Sequence, residues 1–313
     1  MKNKSGKPIA ICLILTISLI LLTSCTPLPE STLPSSIQIT DQMGRIVVLE
    51  TAPQKIISLA PSNTEILFAL GLAEQIAAVT DYCDYPPEAE FKPSIGGFST
   101  PNIEEIIALS PDLILATSKH ENKIIPQLED KGLTVIALNP KTIDKVLEAI
   151  TIVGKVCGVK EAAANLVAEM QQRIKAVTDK TSGLSPEEIL KTYYVVWFGD
   201  EGVMIAGSST LQNEMIAMAG SHNAGSEIES YANVDIETVI FRDPAVMIVG
   251  TSHGSAGLDT YNYVYNEPRL GDISARKNNH VYAIDSNIAS RPGPRIIEAL
   301  ELFAQSIHPE LFK

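Results

Sequence analysis

The segment NIEEIIALSPDLIL beginning at Asn102 returns, in rougher form, as DIETVIFRDPAVMI beginning at Asp235. Glu104 and Glu237 stand 133 residues apart, and so do Pro111 and Pro244. An acid in the first turn of a helix is favoured by the helix dipole, by about 0.3–1 kcal/mol, and Asn102 and Asp235 are suitable N-caps for two such helices. That accounts for a glutamate in either copy. The shared register also suits a second use, two exposed carboxylates offered to arginines of a partner, because a guanidinium grips a carboxylate through two parallel hydrogen bonds. Apolar positions match as well, Ile103 with Ile236, Ile106 with Val239, Ile107 with Ile240 and Leu115 with Ile248. Two copies are too few for a solenoid; they fit two similar lobes, each built around one helix-then-strand unit.

Other residues with chemical potential fall in loops. Tyr82 and Tyr85 flank Cys83-Asp84, Phe98 follows Gly96-Gly97, Tyr231 precedes the second copy of the motif, and Trp197-Phe198 end an apolar run. Loops at strand ends of open α/β sheets are where ligands bind, and flat, rigid side chains there suit a large, partly apolar ligand. Singly, each of these aromatics also fits a structural role. Arg291, in the loop SRPGPR before the last helix, can reach an anionic group, whereas Arg295 belongs to the helix start and packs or pairs there. Signatures of catalysis are missing: there is no GxSxG, Walker loop, HExxH or Rossmann glycine pattern. The five histidines are scattered, with no i,i+4 pair to favour zinc, and a lone histidine on such a chain is usually a surface residue. The sequence therefore points to no catalytic residue and no metal site.

Alternation of short apolar strands with helices, from Ile37 onward, places these residues in an α/β fold of two lobes. Ser62-Asn63-Thr64-Glu65 reads as a capping box opening the first helix. Two helical segments without intervening strands follow, from about Ile143 to Val156 and from about Glu161 to Val177; the second, with Leu166, Met170, Ile174 and Val177 on one face, is long enough to connect two lobes. The expected organisation is an N-terminal α/β lobe over 37–141, a helical connection over 142–180 and a C-terminal α/β lobe over 181–313.

Residues 1–24 read as a lipoprotein signal peptide: Lys2, Lys4 and Lys7 precede an uncharged run from Ile9 to Leu22, too short to span a membrane core of about 30 Å. Leu22-Thr23-Ser24-Cys25 resembles a lipobox, with Cys25 taking the lipid. Residues 25–36, rich in Pro, Ser and Thr, form an extended tether. Without the signal the chain holds 21 basic against 37 acidic residues, a net charge of −16, which repels nucleic acid and anionic lipid heads. Of the remaining cysteines, Cys83 and Cys157 are either bridged, as an envelope compartment permits, or two small buried residues.

KIISLAPSNTEILFALG, DYCDYPPEAE and NIEEIIALSPDLILA resemble the substrate-binding lipoproteins of bacterial ABC importers for vitamin B12 and iron–siderophores, the class III periplasmic binding proteins. The likeness covers roughly Ile37 to the C-terminus and is nearest to the cobalamin binders. It implies two α/β lobes joined by one long bridging helix, with a ligand cleft between them and only small opening motions. It implies docking of Glu104 and Glu237 onto permease arginines, and aromatic contacts to ligand from Tyr82, Phe98 and Tyr231, with Trp197 or Phe198 aligned less securely. Asn287 and Arg291 match polar contacts to corrin side chains. Relatives often carry tryptophan where Phe98, Thr117 and Tyr231 stand, and aspartate where Asn287 stands, so the cleft here is leaner in aromatics. The expectation is a monomeric, lipid-anchored, extracytoplasmic protein without cofactor or catalytic activity, which captures a corrinoid such as cobalamin for an ABC importer. The alternatives are an iron-siderophore or haem binder on the same scaffold and, from other classes, an envelope enzyme or a sensory receptor domain.

Overall fold

A computed structural model describes residues 36–199, 202–251 and 257–313, and Ser36–Lys313 form one compact unit. The signal peptide, Cys25 and the tether up to Ser35 lie outside the described residues.

The chain opens with a hairpin of β1 (Ile37–Thr40) and β2 (Ile46–Leu49), and then builds the first sheet. Its elements are β3 (Ile56–Ser58), α1 (Pro61–Ala69), β4 (Ile76–Ala78), α2 (Ile103–Leu109), β5 (Leu113–Thr117), α3 (Ile124–Glu129) and β6 (Val135–Leu138), with the strands parallel in the order β4-β3-β5-β6. Two consecutive helices follow, α4 (Ile143–Val156) and α5 (Lys160–Thr181). The second half contains β7 (Leu190–Gly199), β8 (Gly202–Ala206), α6 (Leu211–Met218), β9 (Ser221–Asn223), β10 (Tyr231–Val234), α7 (Ile236–Arg242), β11 (Val246–Gly250), α8 (Gly257–Asn266), α9 (Ser274–Lys277), β12 (Val281–Ile284), α10 (Ser286–Ser290) and α11 (Ile296–Ile307). Its parallel strands repeat the first lobe's plan: β7 is flanked by β9 on one side and β11 on the other, with β12 outside β11. The antiparallel pair β8 and β10 is an addition at the edge. In this two-lobed α/β fold the repeated motif is the step α2→β5 in one sheet and α7→β11 in the other. Both helices end in a left-handed residue, Ser110 (φ 48°) and Asp243 (φ 45°), immediately before the repeated proline.

Strand residues alternate between two cores, as a pleat buried on both faces requires. Leu113, Leu115, Ile136 and Leu138 face one core, while Ile114, Ala116, Val135 and Ala137 face the other. In the second sheet Tyr194, Val246 and Ile248 face that same first core, and Tyr193, Val195, Met247 and Val249 face a third. One core thus runs beneath both sheets, covered by α1, α4, α5, α6 and α11. Within this layer α5 buries Ala163, Met170 and Val177 at seven-residue intervals, together with Thr181 at its end, and is otherwise largely exposed. At 1.5 Å per residue it extends about 33 Å, the long bridging helix expected from the sequence. It begins pressed against α4: a Cβ at Gly154 would lie 2.3 Å from that of Ala163.

A second tie between the halves is electrostatic. Arg295, just before α11, binds Glu65 of α1 through two bonds, Nε–Oε2 at 3.0 Å and Nη2–Oε1 at 2.6 Å. Arg291 Nη1 lies 3.5 Å from the same carboxylate. The Arg295 guanidinium also stacks 3.8 Å from the centre of the Tyr85 ring. Glu65 therefore does not close a capping box. Its helix starts two residues earlier than expected, with Pro61 in the first turn and Ala60 as an N-cap that makes no side-chain bond. Pro61 needs no N–H partner there, which releases Glu65 for the arginines. Cys83 and Cys157 are separate buried thiols, Cys83 bonded to Thr64 and Thr80.

The Glu65 side chain is 1% exposed and that of Arg295 14%, so removing the carboxylate leaves two guanidiniums without their shared countercharge. Glu65→Gln should lower the unfolding free energy by about 3–5 kcal/mol in urea titration. A loss below about 1 kcal/mol, typical of surface pairs, would contradict this account.

Candidate ligand-binding cleft

Parallel strands deliver their following loops to one edge of the sheet, and the crevice outside the carboxyl ends of the strands is where such folds bind ligands. Pro61 follows β3, Tyr82 and the segment from Gly97 to Thr100 follow β4, and Ser286 to Arg291 follow β12. These loops, from both halves of the chain, line a cavity of about 620 Å³. Four of the residues singled out from the sequence meet there: Tyr82, Phe98, Asn287 and Arg291. A larger concavity, about 800 Å³, lies between α1, α5 and α11. It contains none of those four residues, so we take the smaller one as the candidate site.

Each wall has a supporting contact. Phe98 is held by His120, whose ring meets it edge-on at 5.2 Å between centroids. Thr117 N–H donates to His120 Nδ1 at 3.0 Å, which leaves Nε2 to carry the proton and donate to the Phe98 carbonyl at 2.7 Å. Burial pushes the His120 pKa down, with the bond to Phe98 opposing, so the neutral ring is favoured. His120 is 1% exposed, which corrects the expectation of a surface histidine. Its bond to Thr117 is local, but its bond to the Phe98 carbonyl crosses to another loop and leaves no signal in the sequence. The Tyr82 ring is 61% exposed and free to meet a ligand.

In the opposite wall Asp285 caps α10 by accepting from Asn287 N–H at 2.8 Å, which leaves the Asn287 amide side chain to the cavity. Ser286, beside it, is buried, its hydroxyl turned toward the Tyr194 phenol. Arg291 reaches across the cleft: both of its terminal nitrogens bond the Asp84 carboxylate, and Nη2 also donates to the Tyr82 carbonyl at 3.3 Å. Burial pushes the Asp84 carboxyl up, but the bond and charge of Arg291 outweigh it and hold the pKa below its ordinary 3.8. Asp84 was not singled out from the sequence, where it is one acid among many in a loop.

The remaining aromatics stand elsewhere. Tyr231 is next to the cleft, its hydroxyl donating to Gln212 Oε1 at 2.9 Å, while Gln212 Nε2 donates to the Ala289 carbonyl at 2.9 Å. Its ring supports α10 from outside the cavity lining. Trp197 is half-buried on β7, folded over Gly199. Phe198 is 4% exposed and packs edge-on against Tyr263 at 5.8 Å, in the core of the second lobe. A register shift between Val195 and Trp197 breaks the alternation and turns Phe198 into the same core as Tyr193 and Val195.

Glu104 and Glu237 are both exposed in the first turns of α2 and α7. The expected caps form: Asn102 accepts from Glu105 N–H at 3.2 Å and Asp235 from Thr238 N–H at 2.7 Å. Neither glutamate side chain forms a hydrogen bond or ion pair within the described residues; Arg269 contributes favourable charge near Glu237. Among the described residues no group of acids, histidines and cysteines could hold a metal, and no helix is long and apolar enough to cross a membrane.

Residues 56–288 match the family model described as periplasmic binding protein. An uncharacterized ABC transporter substrate-binding lipoprotein of Bacillus subtilis, YvrC, is 31% identical over 284 residues, covering 88% of this chain and 87% of that protein. The crystal structure of the periplasmic vitamin B12 binding protein BtuF of Vibrio cholerae superposes with a TM-score of 0.70 and 25% identity, over 82% of this chain and 97% of that one. The periplasmic heme-binding protein RhuT from Roseiflexus, in apo form, gives 0.72 and 25%, over 82% and 99%. Two repeated sheets, a bridging helix and a cleft at their carboxyl edges are thus found together with a family match over most of the chain: the chain belongs to the periplasmic binding protein family, as a substrate-binding protein of ABC importers.

Proposed function

We propose that the protein captures a corrinoid in the cleft and hands it to an ABC permease that docks on Glu104 and Glu237, with the chain tethered outside the cell membrane by lipid on Cys25. The observation that carries the ligand assignment is the lining of the cavity. Two aromatic residues, Tyr82 and Phe98, line it together with Asn287, and the one charged lining residue, Arg291, is already paired. A corrin macrocycle has an extended apolar face and a periphery of amides, which such a surface matches. The named vitamin B12 binder among the structural relatives supports the same reading. Binding, release and docking require no bond to be made or broken.

A second reading rests on the Tyr82 phenol, which is exposed and has no hydrogen-bond partner among the described residues. A tyrosine oxygen can ligate haem iron, and a relative of similar likeness is named a heme-binding protein. Titration of the purified protein by calorimetry, with cyanocobalamin and with ferric haem, separates the two. Saturable one-to-one binding of cyanocobalamin is expected, with Phe98→Ala weakening it by about 10- to 100-fold, from the burial of one aromatic side chain. Haem binding alone, abolished by Tyr82→Phe, would establish the second reading instead.

The docking half is tested separately. Glu104→Gln combined with Glu237→Gln should leave ligand affinity unchanged, because both carboxylates are outside the cavity, and should abolish uptake into cells. Undiminished uptake by the double variant would overturn the assignment.

A further inference from the structure

Four charged side chains from the two halves of the chain meet beside the cleft, which one of them, Arg291, lines. Glu65 and Asp84 come from the first half, Arg291 and Arg295 from the second, and the group is neutral overall. Arg295 is committed to Glu65 at 2.6 and 3.0 Å and to the face of Tyr85. Arg291 is the member that lines the cavity, 14% exposed, and its terminal nitrogens are taken by Asp84 and by the Tyr82 carbonyl. No other lysine, arginine, histidine or carboxylate lines the cavity among the described residues. The electrostatic character of the site is therefore set by whether Asp84 is present.

We infer that Asp84 is a specificity-determining residue: by occupying Arg291 it gives the cleft no free cation, and so selects uncharged macrocycles over carboxylate-bearing ones. This rests on the reading of the cavity as the ligand site, but not on the corrinoid as its ligand. An arriving carboxylate must displace Asp84 from Arg291 or remain unpaired in a partly desolvated cleft, and either course opposes binding. An amide-rimmed ligand meets no such opposition. It can bond to Asn287 while the Arg291–Asp84 pair stays intact across the cleft. Asp84 itself, about half exposed, has one edge toward solvent, so it needs no further partner once Arg291 is engaged.

The test compares ligands of one shape and two charges: cyanocobalamin against its monocarboxylic acid, in which one side-chain amide is hydrolysed, and ferric haem against its dimethyl ester. The wild-type protein should favour the uncharged member of whichever pair it binds. Asp84→Asn, which makes the group of four net positive, should shift the ratio of affinities toward the acid by about 10- to 100-fold, the range expected for a hydrogen bond to a charged group. Arg291→Gln makes the group net negative and should shift the ratio the opposite way. It decides the matter if the Asp84 variant does not fold. A ratio unchanged in the folded variants overturns the inference. A shift seen with the haem pair alone upholds it while refuting the corrinoid reading. A third measurement needs no macrocycle: sulfate should raise the melting temperature of Asp84→Asn more than that of the wild type, since only in the variant is Arg291 released from the Asp84 carboxylate. If neither pair binds, equal sulfate responses overturn the inference and a selective response upholds it.

Discussion

Both faces of each parallel sheet must be covered, and for one face of each the cover is shared. The layer made by α1, α4, α5, α6 and α11 shields Leu113 and Ile136 of the first sheet and Val246 and Ile248 of the second from water in one continuous core. Swinging the lobes far apart would expose that core, at roughly 25 cal/mol for every Å² of apolar surface uncovered. The bridging helix is therefore a part of the packing rather than a free hinge, and the motion consistent with it is slight. The loops at the carboxyl edges inherit this rigidity. A cleft whose walls belong to different sheets can keep a fixed width because the sheets are fixed from behind.

Charge at the cleft follows a related logic. Two arginines from the second half reach two carboxylates in the first, so the surfaces that face one another across the cleft are joined without leaving either sign in excess. Glu65, which is buried, contributes to holding the halves together; Asp84, partly exposed, contributes to what the cavity presents to a ligand. The acidic balance of the whole chain, 37 carboxylates against 24 lysines and arginines, is carried elsewhere on the surface. Glu104 and Glu237 belong to that outer surface, where a carboxylate stays hydrated at little cost until a partner arrives.

The repeated motif was legible because its reasons are local. A cap at Asn102 or Asp235, a short amphipathic helix, a left-handed turn and a buried strand each leave a mark within a dozen residues, and the mark recurs at 133 residues. The same holds for α4, whose limits follow from apolar spacing and Thr142 as the cap. Tyr82, Phe98, Asn287 and Arg291 were also marked out, Asn287 by family likeness rather than by any pattern of its own. Trp197 and Phe198 were marked too, but a residue at the end of a strand can face core or cleft, and a register shift before Trp197, with the packing of α8, placed Phe198 inside.

By itself the sequence determined the alternation of strands and helices, the two-fold repeat, the long connecting helix and the exposed first-turn glutamates, because each depends on propensities and periodicities that act over one or two turns of chain. Tertiary structure alone decided that Glu65 serves arginines 230 residues away rather than its own helix start. It also decided that His120 braces Phe98, and that Asp84 engages Arg291. Those contacts join residues distant in the chain, and their energies arise from burial and from charge brought close in a partly dry site. Neither burial nor proximity is a property of a residue's immediate neighbours in sequence.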